Sequence, residues 1–339
     1  MADESTPAPA VVGLGASAGG VEALTSVVAG LPPSFEAAVL VVLHHSTTSY
    51  SALPAILTRA GPLPARHARD GERLVAGRVY VAPPGRHLVV EDGASRVLTG
   101  PRENGHRPSI DVLFRSVAAS YGPAGAGVVL SGLLDDGTAG LAAIKQRGGR
   151  TVVQTPADAA FPDMPAAAIR GALPDAVCPA AEVYECLRGW LDAVLVSPPD
   201  GGEDDGDVDD PGEPELTEFT CPECGGALRR DERYGAWRFR CRVGHTYSAT
   251  SLLTGKHDAL ETALWAAIVA LEERRDLSRQ VRDRLADQGS PPRGVARFEQ
   301  DIADSERRAQ LLRSVFDELV TDAPIGAPED GDGDERAGR

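Results

Sequence analysis

At 339 residues, with 42% hydrophobic and 25% charged side chains, the chain has globular composition and room for about two or three domains. A net charge of −16 argues against binding along a phosphate backbone, which needs basic surface, so no nucleic-acid partner is expected. No apolar run approaches a membrane span and the first residues lack a basic-then-apolar leader, so a cytoplasmic protein without membrane insertion is expected.

Residues 1–10 are polar and proline-bearing and are expected to be disordered. From 11 to 197, strand-like apolar runs alternate with helical patterns. The first run, Val11-Val12-Gly13-Leu14-Gly15-Ala16, enters a glycine turn and a helix carrying Val21, Leu24, Val27, Val28 and Leu31. Three readings of this turn stand side by side. Gly15-Ala16-Ser17-Ala18-Gly19 fits a nucleophile elbow, G-x-S-x-G. Gly13, Gly15 and Ala18 fit a dinucleotide fingerprint, G-x-G-x-x-G/A. The third is a tight turn with no chemistry.

Val39 to Leu43 is a buried strand by its aliphatic run. Val79–Ala82 and Leu88–Glu91 predict a hairpin about Pro83-Pro84-Gly85. Ile110 to Ser120 has helical spacing with Ser109 as its cap. Gly127 to Leu130 is a strand, followed by a turn and a helix over Ala139–Arg147. Thr151–Gln154 is a strand, and helices are expected at Pro165–Gly171 and Ala181–Leu195. This order predicts an α/β fold, a doubly wound and mostly parallel sheet whose ligands bind beyond the strand carboxyl ends.

Asp200 to Glu215 contains nine acids and no basic residue, so 198–217 is expected to be a disordered linker. A zinc-ribbon-like segment is expected over 218–252. Its Cys221-x2-Cys224 and Cys241-x3-His245 offer three thiolates and one imidazole, a donor set suited to structural tetrahedral zinc. Cys178 and Cys186 are read as buried thiols. Over 253–321, Leu260, Leu264, Ala267, Leu271, Val281 and Leu285 form one stripe, interrupted by Arg274 and Ser278. Phe298, Ile302, Ser305, Ala309, Leu312, Phe316 and Leu319 form a second. These predict an α-helical hairpin able to hold a protein partner or to self-associate. Residues 322–339 are expected to be disordered.

If Ser17 is a nucleophile it needs a base, and the base needs a carboxylate. His44 and His45 close the second strand, and Asp135 and Asp136 follow the strand ending at Leu130. Both sites border the first strand in a doubly wound sheet. A dinucleotide fold would want an acid where the histidines stand, which disfavours that reading. The order Ser-His-Asp also differs from that of α/β-hydrolases.

Several segments together resemble one family. Gly15-Ala16-Ser17-Ala18-Gly19-Gly20, Tyr80 to His87, Arg107 to Ser116, Ser131 to Gly140 and Met164 to Ile169 are similar to the signature segments of CheB-type chemotaxis methylesterases. The resemblance spans about Val11 to Leu195. It implies a serine hydrolase, without a catalytic cofactor, that removes methyl esters from glutamates on chemoreceptor cytoplasmic helices; some members also deamidate receptor glutamines. By motif position it implies Ser17 as nucleophile, His45 as base, Asp136 as orienting acid, and the Leu133 backbone N–H as oxyanion donor; the adjacent His44 is the fallback base. The chain departs from the family pattern at Ala18 (usually Thr), at His44-His45-Ser46 (usually Gln-His-Met) and at Gly132-Leu133-Leu134 (usually Gly-Met-Gly). The family's common receiver domain has no counterpart ahead of the first strand, so phosphorylation within the chain is not expected to be the switch. His67, His87 and His106 are read as surface or loop residues, with His106 and Arg107 near the substrate cleft. The rival reading, motivated by the departures and the C-terminal half, is a regulatory module without turnover.

Overall fold

A computed structural model of the chain describes residues 8–44, 51–197, 214–288 and 292–321. Of the segment 1–10 expected to be disordered, residues 1–7 lie outside the described residues, as do 322–339, most of the acidic segment, and His45 with Ser46, whereas Ala8 and Ala10 are buried and the Ala8 amide bonds Leu74 O. The chain divides into two compact units, Met1–Leu252 and Leu253–Arg339.

In the first unit the elements run β1 (Val11–Ala16), α1 (Gly20–Gly30), β2 (Ala38–Leu43), α2 (Leu53–Ala60), β3 (Ala65–His67), β4 (Glu72–Arg73) and β5 (Val79–Val81). They continue with β6 (His87–Glu91), β7 (Ala94–Leu98), α3 (Ile110–Tyr121), β8 (Gly125–Val129), α4 (Thr138–Gln146), β9 (Arg150–Gln154), α5 (Asp163–Ala172), β10 (Ala176–Cys178) and α6 (Val183–Val196). Seven strands form one sheet in the order β10-β9-β8-β1-β2-β5-β3. Every pairing in it is parallel. This is the expected α/β architecture.

The sheet is buried on both faces because its strands alternate between two cores. Val12, Leu14 and Ala16 of β1 pack with Leu24, Val28, Leu57 and Leu187. On the other face Val11, Leu40 and Val42 pack with Leu113, Phe114, Ile144 and Met164. Gly13 and Gly15 share that second face. A Cβ on Gly13 would lie 3.0 Å from Phe114, and one on Gly15 would lie 2.3 Å from Ile110 Cγ2. The glycines therefore let α3 lie directly on β1.

The hairpin expected about Pro83-Pro84-Gly85 does not form. β5 joins the parallel sheet, and β6 pairs instead with β7, in the antiparallel sheet β4-β7-β6. The turn that makes this hairpin is Asp92-Gly93, both at positive φ (51° and 69°), the conformation tight hairpins require. α2, β3, β4 and β7 were not legible as separate elements in the sequence; β3 and β4 are only three and two residues long.

The remaining elements are β11 (Glu215–Thr220), β12 (Ala227–Arg233), β13 (Ala236–Cys241), β14 (Thr246–Ser248), α7 (Ala249–Asp287) and α8 (Pro292–Thr321). β11 begins at Glu215, inside the span expected as linker. β11 to β14 form an antiparallel meander around Cys221, Leu228, Phe239, Cys241, Tyr247 and Leu252. In the second unit α7 and α8 bury Ile268, Ile302, Ser305 and Ala309, and Trp265 meets Phe316 at 5.6 Å. The polar interruption of the first stripe has a cause: Arg274 and Ser278 both bond Asp301 of α8. No described helix is long and apolar enough to cross a membrane.

Candidate active site

The site forms where β1, β2 and β8 end side by side. β1 and β2 are in register, with Ala16 opposite Leu43. The next residue of each strand, Ser17 and His44, leaves the sheet on the α3 face, because side chains alternate along a strand. The His44 amide bonds Ala16 O at 3.1 Å, and the Ser17 amide bonds Ser131 O, beyond β8, at 2.9 Å. His44 Nδ1 then lies 3.3 Å from Ser17 Oγ, and His44 Nε2 lies 2.8 Å from Asp136 Oδ2. A buried carboxylate accepts, so Nε2 carries the proton to Asp136 and Nδ1 is left to accept from the serine.

The histidine brought to this position is the fallback candidate for the base, not the first choice. The family resemblance points to His45; the ring between Ser17 and Asp136 is His44. Where His45 stands is outside the described residues.

Asp136 is buried and tightly held. Oδ2 also accepts from the Ile110 amide at 2.7 Å, and Oδ1 from Ser109 Oγ and Asn104 Nδ2, each at 3.0 Å, and from the Asp111 amide at 3.3 Å. These amides open α3, where a carboxylate is favoured by unsatisfied N–H groups and by the helix dipole. Ser109 is the N-cap residue of α3, as expected, but its side chain makes no capping hydrogen bond. Asp136, from another loop, accepts from the first amides of the helix instead, and Ser109 Oγ donates to it. Burial alone would raise the Asp136 pKa, but the hydrogen bond and charge of His44, with the Ile110 amide, hold it well below the usual carboxylate range. Its neighbour Asp111 is driven the other way, upward, by burial and by the charge of Asp136.

Two histidines read as peripheral are part of the construction. His106 stacks on His44, with ring centroids 3.7 Å apart and planes at 11°. Burial and then the charge of His44 pull its pKa down to about 4, so it is neutral at neutral pH. His87 is buried; its Nε2–H donates to Pro101 O at 2.8 Å and its Nδ1 accepts from the Ser109 amide. Arg107 turns to the carbonyl of Gly100 at 2.8 Å. Nothing in their local sequence distinguishes these histidines from loop residues.

The glycines settle the turn. Gly19 caps α1 at φ 66°, and a Cβ there would meet Ala160 at 2.7 Å and Ser131 Oγ at 2.8 Å. Ser131 Oγ donates to Ala18 O at 2.7 Å, so the serine turn is fixed through the backbone of Ala18. Gly15→Ala is expected to cost about 1–3 kcal/mol by forcing Ile110 aside; an unchanged denaturant midpoint would contradict this packing. The turn after β8 carries Leu133, half exposed, and Leu134 at φ 63°. The Leu133 amide has no hydrogen-bond partner among the described residues.

A second cluster lies in the meander. The donor atoms of Cys221, Cys224, Cys241 and His245 all fall within 4.8 Å of one another. Cys224 and Cys241 Sγ are 3.7 Å apart, and His245 Nδ1 is 3.6 Å from both Cys221 and Cys241 Sγ. Sulfurs around a tetrahedral zinc stand about 3.8 Å apart, so the donor set fits that ion. His245 Nε2 lies 3.2 Å from Glu223 Oε2, the outer partner a ligating histidine characteristically has. Against the opposing effect of burial, backbone N–H groups, that of Gly244 foremost, bring the Cys241 thiol down to about 7, toward the thiolate a metal requires. Cys178 is buried as expected, and Cys186 is half-buried.

A family model described as CheB methylesterase matches residues 12–187. The chain is similar to protein-glutamate methylesterase/protein-glutamine glutaminase 3 of Anaeromyxobacter dehalogenans (strain 2CP-C), 44% identical over 192 residues, covering 56% of each chain. It is also similar to protein-glutamate methylesterase/protein-glutamine glutaminase 1 of Xanthomonas campestris pv. campestris, 40% identical over 182 residues, covering 52% of this chain and 50% of that one. The chain spans about half the length of these curated relatives. Among solved structures it is similar to the Thermotoga maritima CheB methylesterase catalytic domain, with a TM-score of 0.51 and 28% identity, covering 55% of this chain and 98% of that one.

Proposed function

The chain belongs to the CheB methylesterase family, and on that premise we propose that it is a serine hydrolase that demethylates glutamate methyl esters on chemoreceptor cytoplasmic helices and deamidates receptor glutamines. One observation carries the reading: His44 bridges Ser17 Oγ and the buried Asp136.

In this mechanism Ser17 Oγ gives its proton to His44 Nδ1 and attacks the side-chain carbonyl carbon. The backbone N–H of Leu133 is assigned to the developing oxyanion, where a donor without a prior partner is most useful. Asp136 holds the tautomer of His44 and stabilises its imidazolium. The imidazolium returns the proton to the departing methoxide, and methanol leaves an acyl-enzyme. Water, deprotonated by His44, then releases glutamate and restores Ser17. With glutamine the leaving group is ammonia and the steps are otherwise the same. The 3.3 Å contact is loose for a hydrogen bond, as catalytic contacts often are without substrate. The intact Ser-His-Asp contacts favour this reading over a module without turnover.

The Cys3His cluster is assigned to structural zinc. All four protein donors are present and no position is left for substrate, so the ion takes no part in the chemistry. The second unit is assigned to protein contact, by self-association or with a partner, because Leu260, Trp265, Leu277 and Leu311 stand exposed on its helices. The reading places the protein in the cytoplasm, with the receptor helices. The test is methanol release from a methylated receptor fragment by the purified chain. Release in proportion to glutamate formed is the expected result, and release no faster than in the enzyme-free blank would overturn the assignment.

A further inference from the structure

The mechanism makes no use of the Cys3His ribbon, yet the ribbon is bonded to the loop that supports the triad. One residue past His245, Thr246 O accepts from the Asn104 amide at 2.8 Å, and the Thr246 amide donates to Arg102 O at 3.3 Å. The Ser248 amide donates to Asn104 Oδ1 at 2.9 Å, and Ser251 Oγ donates to the same oxygen at 2.9 Å. Ser248 Oγ also donates to Asp135 Oδ1 at 2.9 Å, beside the catalytic acid in the chain. On the other side of the same amide, Asn104 Nδ2 donates to Asp136 Oδ1 and to Asp111 Oδ2, each at 3.0 Å. Asn104 is buried and sits at φ 53°, a conformation asparagine tolerates better than most residues. Its amide is fully used, with two bonds donated to the catalytic side and two accepted from the ribbon side. Exchanging its O and N would set donor against donor on one side and acceptor against acceptor on the other. The loop it belongs to also carries His106, which stacks on His44.

We propose that the Cys3His ribbon is a positioning element for the catalytic acid, acting through Asn104, so that esterase turnover depends on the ribbon's metal-held fold. The chain of contacts is continuous: His245 sets β14, β14 holds Asn104 and Asp135, Asn104 holds Asp136, and Asp136 holds His44. A small antiparallel meander with so few buried side chains draws much of its order from the ion. Loss of the metal, by chelation or by oxidation of its thiolates, then loosens the acid without touching Ser17 or His44. Asn104 is a positioning residue and makes no contact with substrate.

The inference rests on the esterase reading, and the experiment separates the two. The full chain is prepared with zinc, stripped with a chelator and reloaded with zinc alone, with metal content measured at each stage. Hydrolysis of p-nitrophenyl acetate gives kcat and KM, and proton NMR follows the downfield N–H resonance of the His44–Asp136 hydrogen bond. Stripping is expected to lower kcat about tenfold, the effect of loosening a hydrogen bond to a charged group. KM should change by no more than roughly twofold, since substrate contacts are untouched. The resonance should broaden, and zinc should restore both signals. The double variant Ser248→Ala/Ser251→Ala, with its zinc still bound, should lose kcat in the same direction and broaden the same resonance. The proposal is overturned by a stripped protein that keeps its kcat and its resonance, by a zinc-loaded double variant indistinguishable from wild type, or by a chain that binds no zinc. Persistence of wild-type hydrolysis in Ser17→Ala would instead sink the esterase reading, while the NMR signal, independent of turnover, would still report on the ribbon.

Discussion

His44→Ala is expected to lower kcat as severely as Ser17→Ala, on the order of 10³–10⁶, while His45→Ala keeps it within about one order of magnitude. The two histidines are neighbours, so this comparison tests register as much as chemistry. The even-numbered residues Ala38, Leu40 and Val42 of β2 join the core on the α3 face, whereas Val39, Val41 and Leu43 join the other. His44 continues the even series, and Ser17 continues the series of Val11, Gly13 and Gly15 on that same face. The measurement is kcat on a small acyl ester, repeated as methanol release from methylated receptor. Severe loss in His45→Ala with activity retained in His44→Ala would refute the assignment of the base.

Asp136→Asn is expected to reduce kcat by about 10⁴, the loss seen when the acid of a serine-hydrolase triad is amidated and the histidine is left in the wrong tautomer. The local geometry gives the reason. Asp136 accepts from His44, Ile110, Asp111, Ser109 and Asn104, and an amide NH2 in either position would face donors. Stability should fall too, by about 1–3 kcal/mol at neutral pH, although relief of the repulsion felt by Asp111 offsets part of the loss. The pH dependence has a definite sign. The folded pKa of Asp136 is depressed, so its stabilisation is present above the unfolded value of about 3.9 and is lost as pH falls toward the folded one. The stability gap between wild type and Asp136→Asn should therefore be widest near neutrality and narrow below about pH 4. Denaturant unfolding at several pH values reads this directly. A gap that widens on acidification would show that the carboxylate is not held in its charged form.

Much of the molecule was legible from side-chain pattern. Continuous aliphatic runs separated by helical spacings announce a buried parallel sheet, because strands covered on both faces carry no polar alternation. Ser17, the pair Asp135 and Asp136, and the cysteine spacing were visible as residue types at strand ends and in a knuckle. The stripes of α7 and α8 were visible as periodicity. The hairpin β6–β7 was misplaced because Pro83-Pro84-Gly85 is the more conspicuous breaker, while Asp92-Gly93 is the pair with the conformation the hairpin needs.

What the sequence by itself determined is the inventory: most of the longer elements and the candidate metal donors by local composition and spacing, and Ser17 and Asp136 as candidates through the family resemblance. What only the tertiary structure decided is which groups meet. Whether His44 or His45 serves Ser17 depends on strand register, and a shift of one residue moves a side chain to the opposite face. The capping of α3 by Asp136, the stacking of His106 on His44 and the bridge from Asn104 to Ser248 join residues 26, 62 and 144 positions apart. No local preference encodes such contacts, because they exist only once the sheet has brought distant loops to a common edge.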